Sequence, residues 1–217
     1  MKKQVLTVMC AAVLAGCAGE SKKEEVVVAP ESPKMEECNY SYDPATAKLE
    51  MVWVSYKYTD KTGVKGSFDE IEISGFGSGS EPSSVLLGSK MKINTASTNS
   101  GDAIRDPKIR SVFFGGMEDG LEILAEITEC SGNGTEGKLS ADITMNKATV
   151  ETPGTYAMRD GHIELRFKLD VASWSAMPAL DALNEECEDL HKGADGKSIL
   201  WPNVDVFVTA EFTKDCK

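Results

Sequence analysis

Strict alternation of apolar and charged residues is the feature that most constrains the fold of this chain. Between Ile163 and Val171, an apolar residue occupies every second position and a charged residue lies between each pair. A period of two predicts a strand with one buried and one solvated face. Similar alternation occurs over residues 49–53, 71–73, 85–93, 121–127, 139–145 and 204–212. The pattern predicts a mainly β protein with about eight strands.

Two architectures can bury one apolar face of such a set of strands. Eight mostly antiparallel strands close into a barrel or fold into a sandwich, and periodicity alone does not decide between them. A closed eight-stranded barrel is just wide enough to be filled by side chains or to hold one small apolar ligand. The inward set includes Met51, Met91 and Met145, and flexible thioethers suit an adaptable cavity, although an ordinary core explains them equally well.

One segment departs from the strand pattern. Leu180, Leu183, Cys187 and Leu190 recur at helical spacing, which predicts a short amphipathic helix over residues 178–191. Pro178 suits its first turn, and a glycine at position 193 suits the position after its end. Cys187 falls on the apolar face and is expected to be bridged or buried.

The N-terminus has the layout of a bacterial lipoprotein signal peptide. Two lysines precede an apolar run that is too short to span a bilayer, and the run closes on Leu14-Ala15-Gly16-Cys17. We expect residues 1–16 to be removed and Cys17 to carry the lipid anchor. This predicts a cell-envelope protein anchored to a membrane and facing the periplasm. Because no aspartate follows Cys17, the outer membrane is preferred over the inner one.

The segment after the anchor has a composition that cannot bury a core. Residues 17–37 are rich in Glu, Lys and Pro and are predicted to form a flexible tether, with residues 38–217 forming the domain. The valine run at 26–28 is the alternative, since it could pair as an edge strand. Loss of the two signal lysines takes the net charge from −12 to about −14. Nucleic acid is therefore excluded as a partner, and membrane contact is expected through the acyl chains.

Four cysteines remain after the signal and the anchor. An even number in an oxidising compartment predicts two disulfides, and three pairings are possible. We favour Cys38 with Cys216, which would join the ends of the domain, and Cys130 with Cys187. Their spacings match no zinc motif, so no metal site is expected.

Catalytic motifs are weak throughout the chain. His162 and His191 lack a neighbouring nucleophile motif, and both are interpreted as solvated. A metal shared by Cys187 and His191 is the alternative for the helix. No enzyme activity and no cofactor are predicted.

Several short motifs follow one another along residues 40–214. They are Tyr42-Asp43-Pro44, Gly63-Val64-Lys65-Gly66-Ser67-Phe68-Asp69, Ile93-Asn94-Thr95 with Asn99 and Arg105-Asp106, Val112-Phe113-Phe114, the stretch 139–146, and Trp201-Pro202 before the last strand. In their order and spacing these motifs resemble the YceI-like family of periplasmic lipid-binding proteins. The sequence departs from the family at Lys108-Ile109 and at Met117-Glu118-Asp119-Gly120, near loops that decide which head group can enter.

The resemblance implies a lipocalin-like antiparallel barrel with an apolar pore. Its ligand would be a long apolar chain, such as a polyisoprenoid, an isoprenoid quinone or a fatty-acid derivative, bound for transport or storage. Arg105 and Asp106 are expected to fasten a loop by a hydrogen-bonded pair rather than to contact a head group. The residues expected to line the pore are Met51, Trp53, Ile71, Met91, Ile93, Phe113, Phe114, Ile123, Phe167, Leu169 and Trp174.

Two other functions remain open at this point. The first is a protein-interaction module with a filled core, displayed on the lipid anchor. The second is an enzyme acting on a lipid in the barrel, which the two isolated histidines disfavour. Pairing of two barrels into a homodimer is also left open.

Overall fold

A computed structural model describes residues 37–217, so the predicted signal peptide, Cys17 and the tether up to residue 36 lie outside the described residues. The described part is mainly β, as the alternation predicted. Its thirteen strands are β1 (Cys38–Ser41), β2 (Leu49–Lys57), β3 (Thr62–Phe68), β4 (Ile71–Ser74), β5 (Ser78–Gly79), β6 (Lys90–Asn94), β7 (Thr98–Asn99), β8 (Glu122–Gly132), β9 (Glu136–Met145), β10 (Ala148–Arg159), β11 (His162–Asp170), β12 (Leu200–Glu211) and β13 (Thr213–Cys216).

Ten of these strands form one antiparallel sheet that returns to its starting point. The order is β4-β6-β8-β9-β10-β11-β12-β2-β3-β7. Only Asp69 and Glu70 separate β3 from β4, so these two form one bent strand. The 3-10 turn Thr95–Ser97 separates β6 from β7, which form a second bent strand beside the first. Backbone bonds from Asp69 N to Ser97 O and from Asn94 N to Glu70 O, each 3.1 Å long, hold the two bent strands together. Counting each bent strand once gives an eight-stranded closed barrel, which agrees with the predicted architecture.

Helices cover one end of the barrel, which we call the helical end. They are α2 (Arg105–Lys108), a π-helix (Ile109–Phe114), the 3-10 helix Val171–Trp174, α3 (Met177–Glu186) and α4 (Glu188–His191), while α1 (Pro82–Leu86) lies elsewhere. The predicted helix is present with Pro178 in its first turn, but it breaks at Cys187, whose φ is −114°. Among the described residues, no helix has the length and apolar character needed to cross a bilayer.

A small sheet closes the opposite end, which we call the disulfide end. There β1 pairs with both β13 and β5, and Cys38 lies opposite Cys216 in the register. These two cysteines form the predicted disulfide across 178 residues. The bond therefore joins the two ends of the domain, as expected.

The second predicted disulfide, between Cys130 and Cys187, is wrong. Both thiols are free within residues 37–217. The β8 residue Glu122 pairs with Asn94 next to the helical elements, and Cys130 lies eight residues further along the same strand. Eight strand residues span about 26 Å. Cys187 ends α3 at the helical end, so the two thiols are too far apart to bond.

Two local predictions also differ from the structure. Residues 85–93 were predicted as one strand, but Val85 lies in α1 and the strand begins at Lys90, since a short apolar run does not distinguish helix from strand. The strand β10 was not predicted, because Pro153-Gly154 in its middle has the composition of a turn.

Candidate functional site

The inner wall of the barrel encloses an apolar cavity of about 210 Å³. It extends from Phe76, Leu86 and Phe212 at the disulfide end to Leu183 and Leu200 at the helical end. An engineered cavity of about 150 Å³ already holds a benzene molecule, so this space is large enough for part of an apolar ligand. Its walls are almost entirely carbon, which leaves few directional contacts available to a ligand.

Nine of the eleven residues predicted to line the pore do line this cavity. They are Met51, Trp53, Met91, Ile93, Phe113, Phe114, Ile123, Phe167 and Leu169. The two exceptions are Ile71, which is half-buried against the core, and Trp174. The indole of Trp174 is buried and donates to Ile143 O at 2.8 Å, so it fastens the 3-10 helix to the barrel wall. Whether any of these residues binds a ligand stays a prediction.

The predicted set left out about three quarters of the residues that line the cavity. Some of the missed residues lie on predicted strands at the inward positions, and their alternation was a usable signal: Ile143, Ile163, Leu165, Val206 and Val208. Others come from the helical cover, where spacing shows an apolar face but not what that face touches: Ile109, Leu180 and Leu183.

Three aromatic rings in the wall each cover a glycine on the neighbouring strand. The directly opposed pairs are Trp53 with Gly66, Phe167 with Gly154, and Tyr156 with Gly137. A Cβ atom built on any of these glycines would lie between 2.1 and 2.7 Å from the ring that covers it. The glycines therefore provide the room that lets the rings lie flat along the wall. Trp53 is also held by a 3.2 Å bond from its Nε1 to Ser67 O.

Polar contacts fix the loop that precedes the π-helix at the helical end. Asp106 is buried, and its Oδ1 accepts from the backbone N and the hydroxyl of Ser100 at 2.9 and 2.5 Å. The guanidinium of Arg105 pairs with Asp102 at 3.0 Å. Each member of the Arg-Asp pair thus fastens the loop, as predicted, but through a separate partner rather than through each other.

The disulfide end is closed by three rings packed against one another in tilted and edge-on contacts, which we call the aromatic floor: Tyr42, Phe76 and Phe212. The ring centroids lie 4.2 Å apart for Tyr42 and Phe76, 5.9 Å for Tyr42 and Phe212, and 6.4 Å for Phe76 and Phe212. Burial raises the pKa of the Tyr42 phenol, with a smaller contribution from the charge of Asp43. Phe76 and Phe212 of the floor line the cavity, so the floor is an apolar end of it.

The two histidines have different surroundings. His162 is exposed, as predicted, and its Nε2 lies 3.5 Å from a carboxylate oxygen of Glu211. The interpretation of His191 as solvated is wrong, because its ring is half-buried and its Nδ1 lies 3.0 Å from Asn184 Oδ1. Burial, together with Lys57, Arg105 and Lys108, lowers the pKa of His191 to about 4.

The cysteine beside this histidine has the properties of a structural residue. Cys187 is buried, and burial raises the pKa of its thiol. A nucleophilic cysteine needs the thiolate form, which a raised pKa disfavours. The described residues contain no group of three or more potential metal ligands, so the alternative of a metal at Cys187 and His191 gains no support.

No protein-family model and no curated protein matches this sequence. Solved structures do match its fold. A polyisoprenoid-binding domain from Saccharophagus degradans, implicated in plant cell wall breakdown, superposes with a TM-score of 0.53, at 13% identity, over 84% of this chain and 100% of that one. This chain has the fold of that domain. The lipocalin-like barrel that the resemblance implied is therefore confirmed.

Two further structures extend the comparison. BcnA from Burkholderia cenocepacia matches with a TM-score of 0.51, at 14% identity, over 79% of this chain and 99% of that one. The YceI protein of Campylobacter jejuni matches over 74% of this chain and 89% of that one, at 14% identity and a TM-score of 0.49. The fold assignment depends on the first two. At these identities the similarity establishes the fold alone.

Proposed function

We propose that this protein binds one long apolar chain inside the barrel and carries or stores it in the periplasm. The ligand would be a polyisoprenoid, an isoprenoid quinone or a fatty-acid derivative. The observation that carries the proposal is the continuous carbon-lined cavity between the aromatic floor and Leu183. Each methylene moved from water into such a wall gains about 0.8 kcal/mol, so a long chain needs no directional contact to bind well.

The comparisons support the same class of ligand. The S. degradans structure is that of a polyisoprenoid-binding domain, and the motifs of this chain resemble the YceI-like family. We therefore propose membership of that family and a binding role without catalysis. At the helical end the raised pKa of the Cys187 thiol and the lowered pKa of His191 disfavour a thiolate–imidazolium pair, which supports such a role.

The cellular setting in this proposal follows from the cysteines. A disulfide between Cys38 and Cys216 is typical of proteins outside the cytoplasm. We propose that Cys17 anchors the chain by its acyl groups, preferably in the outer membrane, and that residues 17–37 act as the tether of a barrel formed by residues 38–217. The proposed partners are the lipid ligand and this membrane, and nucleic acid is not among them.

The test is mass spectrometry of an organic extract of the natively purified full chain. We expect one dominant polyprenyl or acyl species near one equivalent. Ala125→Phe should reduce the amount recovered, because Ala125 lines the cavity and the added ring fills it. Thr128→Phe is the matched control, since Thr128 lies on the same strand and is exposed.

An empty extract from the wild-type chain, repeated after incubation with total membrane lipid, would refute the carrier. It would favour the alternative of an interaction module on a lipid anchor. Equal loss of lipid in both variants would show that the cavity is not the site that holds it.

A further inference from the structure

The aromatic floor is built as a rigid stop rather than as an ordinary part of the wall. Phe76 lies between two glycines that allow an unusually close approach of the backbone. A Cβ at Gly75, whose φ is +77°, would lie 2.6 Å from Gly88 O, and one at Gly77 would lie 2.7 Å from Ser84 O. The backbone bond from Gly77 N to Val85 O adds a 3.1 Å link. These contacts fix the loop that carries Phe76.

The other two rings of the floor are fixed from the ends of the chain. Tyr42 follows β1, which the disulfide and the pairing with β13 hold across the barrel end. Phe212 lies between β12 and β13, and its backbone N donates to Gly161 O at 3.0 Å. Tyr42 and Phe212 are both buried. All three rings are therefore supported by elements outside the barrel wall.

From this arrangement we infer that the aromatic floor measures the length of the bound chain. The free end of the tail stops at Phe76 and Phe212, and the head group stays at the helical end. Phe76 and Phe212 are then specificity-determining residues, and chains too long for the barrel leave methylenes in water. This inference rests on the proposed function and names what limits its ligand.

The distribution of polar groups sets the direction of the tail. The floor is made of rings, so a polar head group placed there would lose its hydration without compensation. Ser89 and Lys90 line the cavity nearby, but Ser89 offers only an uncharged hydroxyl, and the ammonium of Lys90 pairs with Glu126 at 3.2 Å on the outer surface. At the helical end, Lys57 Nζ reaches Leu190 O at 3.0 Å, next to the half-buried His191. An ammonium and an imidazole that could meet a head group are therefore found at the helical end, just beyond the residues that line the cavity.

The experiment measures the affinity of the full chain for straight-chain alcohols from dodecanol to docosanol. In the wild type, affinity should rise about fourfold for each added methylene until a limiting length and then stay level. Phe76→Ala should move that limit to longer alcohols, with about fourfold tighter binding for each further methylene admitted. Phe76→Trp should move the limit to shorter alcohols, which keeps the test decisive if the alanine variant folds poorly.

Phe207→Ala is the matched control, because Phe207 lies on β12 between the inward Val206 and Val208 and does not line the cavity. Its limiting length should equal that of the wild type. If the wild type has a limit that neither Phe76 variant moves, or that Phe207→Ala moves equally, the floor does not measure the chain and the proposed function still stands. A wild type that binds no alcohol of any length refutes both.

Discussion

Replacement of Gly66 by alanine should push the Trp53 ring into the cavity. The new Cβ would lie 2.1 Å from Trp53 Cζ2 and 2.6 Å from Cε2 and Cη2, so the ring must move by more than an ångström to reach ordinary contact. Overpacking of this kind costs about 1–3 kcal/mol. The shift also breaks the bond from Trp53 Nε1 to Ser67 O, worth about 1 kcal/mol.

A smaller opposing effect comes from the unfolded chain. Glycine-to-alanine changes restrict it and stabilise the fold by about 0.4–1 kcal/mol. The net loss should be about 1–3 kcal/mol in the free energy of unfolding. For a domain of this size, 1 kcal/mol corresponds to about 2–4 °C in Tm. Thermal unfolding followed by circular dichroism should therefore show a loss of about 4–8 °C at the middle of that range.

Two controls assign the effect to the ring. Gly134→Ala should leave Tm nearly unchanged, because nothing lies within 4 Å of a Cβ at that position. In a Trp53→Phe background, the Gly66→Ala change should cost much less, since phenylalanine lacks the Cζ2 and Cη2 atoms. A full penalty in that background, or a Tm for Gly66→Ala equal to that of Gly134→Ala, would refute the reasoning.

Three further predictions concern the wall, the disulfide and His191. Phe167→Asp places an unpaired charge in the buried wall and should lower the free energy of unfolding in urea by about 3–5 kcal/mol. Phe207→Asp should lower it much less, and equal losses would show that the inward face of the strands is assigned wrongly. Replacement of both Cys38 and Cys216 by alanine opens a loop of 178 residues and should lower the free energy of unfolding by about 5 kcal/mol through chain entropy. Cys130→Ala should lower it far less, and an equal Tm for the double variant and for Cys130→Ala would contradict the prediction. Because the pKa of His191 is lowered from 6.5 to about 4, the unfolded chain binds the extra proton first, so stability should fall as the pH decreases from about 6.5 to about 4. His191→Gln should flatten that dependence and the exposed His162→Gln should not; the reverse result would show that another group titrates.

The strands could be predicted wherever one face is exposed to solvent and the other is buried, because polar and apolar residues then alternate with a period of two. This accounts for β11 and β12, and through them for less than a third of the residues that line the cavity. The prediction failed at Pro153-Gly154, where local composition is that of a turn. In the barrel, Gly154 lies under the Phe167 ring, so a contact between strands overrides the local preference.

The covers at the two ends could not be predicted in the same way. The π-helix brings Phe113 and Phe114 onto the cavity, but its sequence carries no period that distinguishes it from a strand end. Cys187 illustrates the same limit, since helical spacing showed that it faces inward but not which end of the barrel it faces. Long-range placement of this kind depends on how the sheet closes, and strand periodicity does not encode closure.

The bond between Cys38 and Cys216 also has a mechanical consequence. A force applied between the two ends of the domain passes from Glu37 across the disulfide to Lys217, whose backbone N already donates to Glu37 O at 3.0 Å. No strand of the barrel lies on that path. A force on the two ends therefore acts on the covalent bond and not on the backbone hydrogen bonds between the strands. An unfolding machine that threads the chain from Lys217 would have to draw two segments through its pore at once. The barrel therefore cannot be unravelled from its ends until the disulfide is reduced.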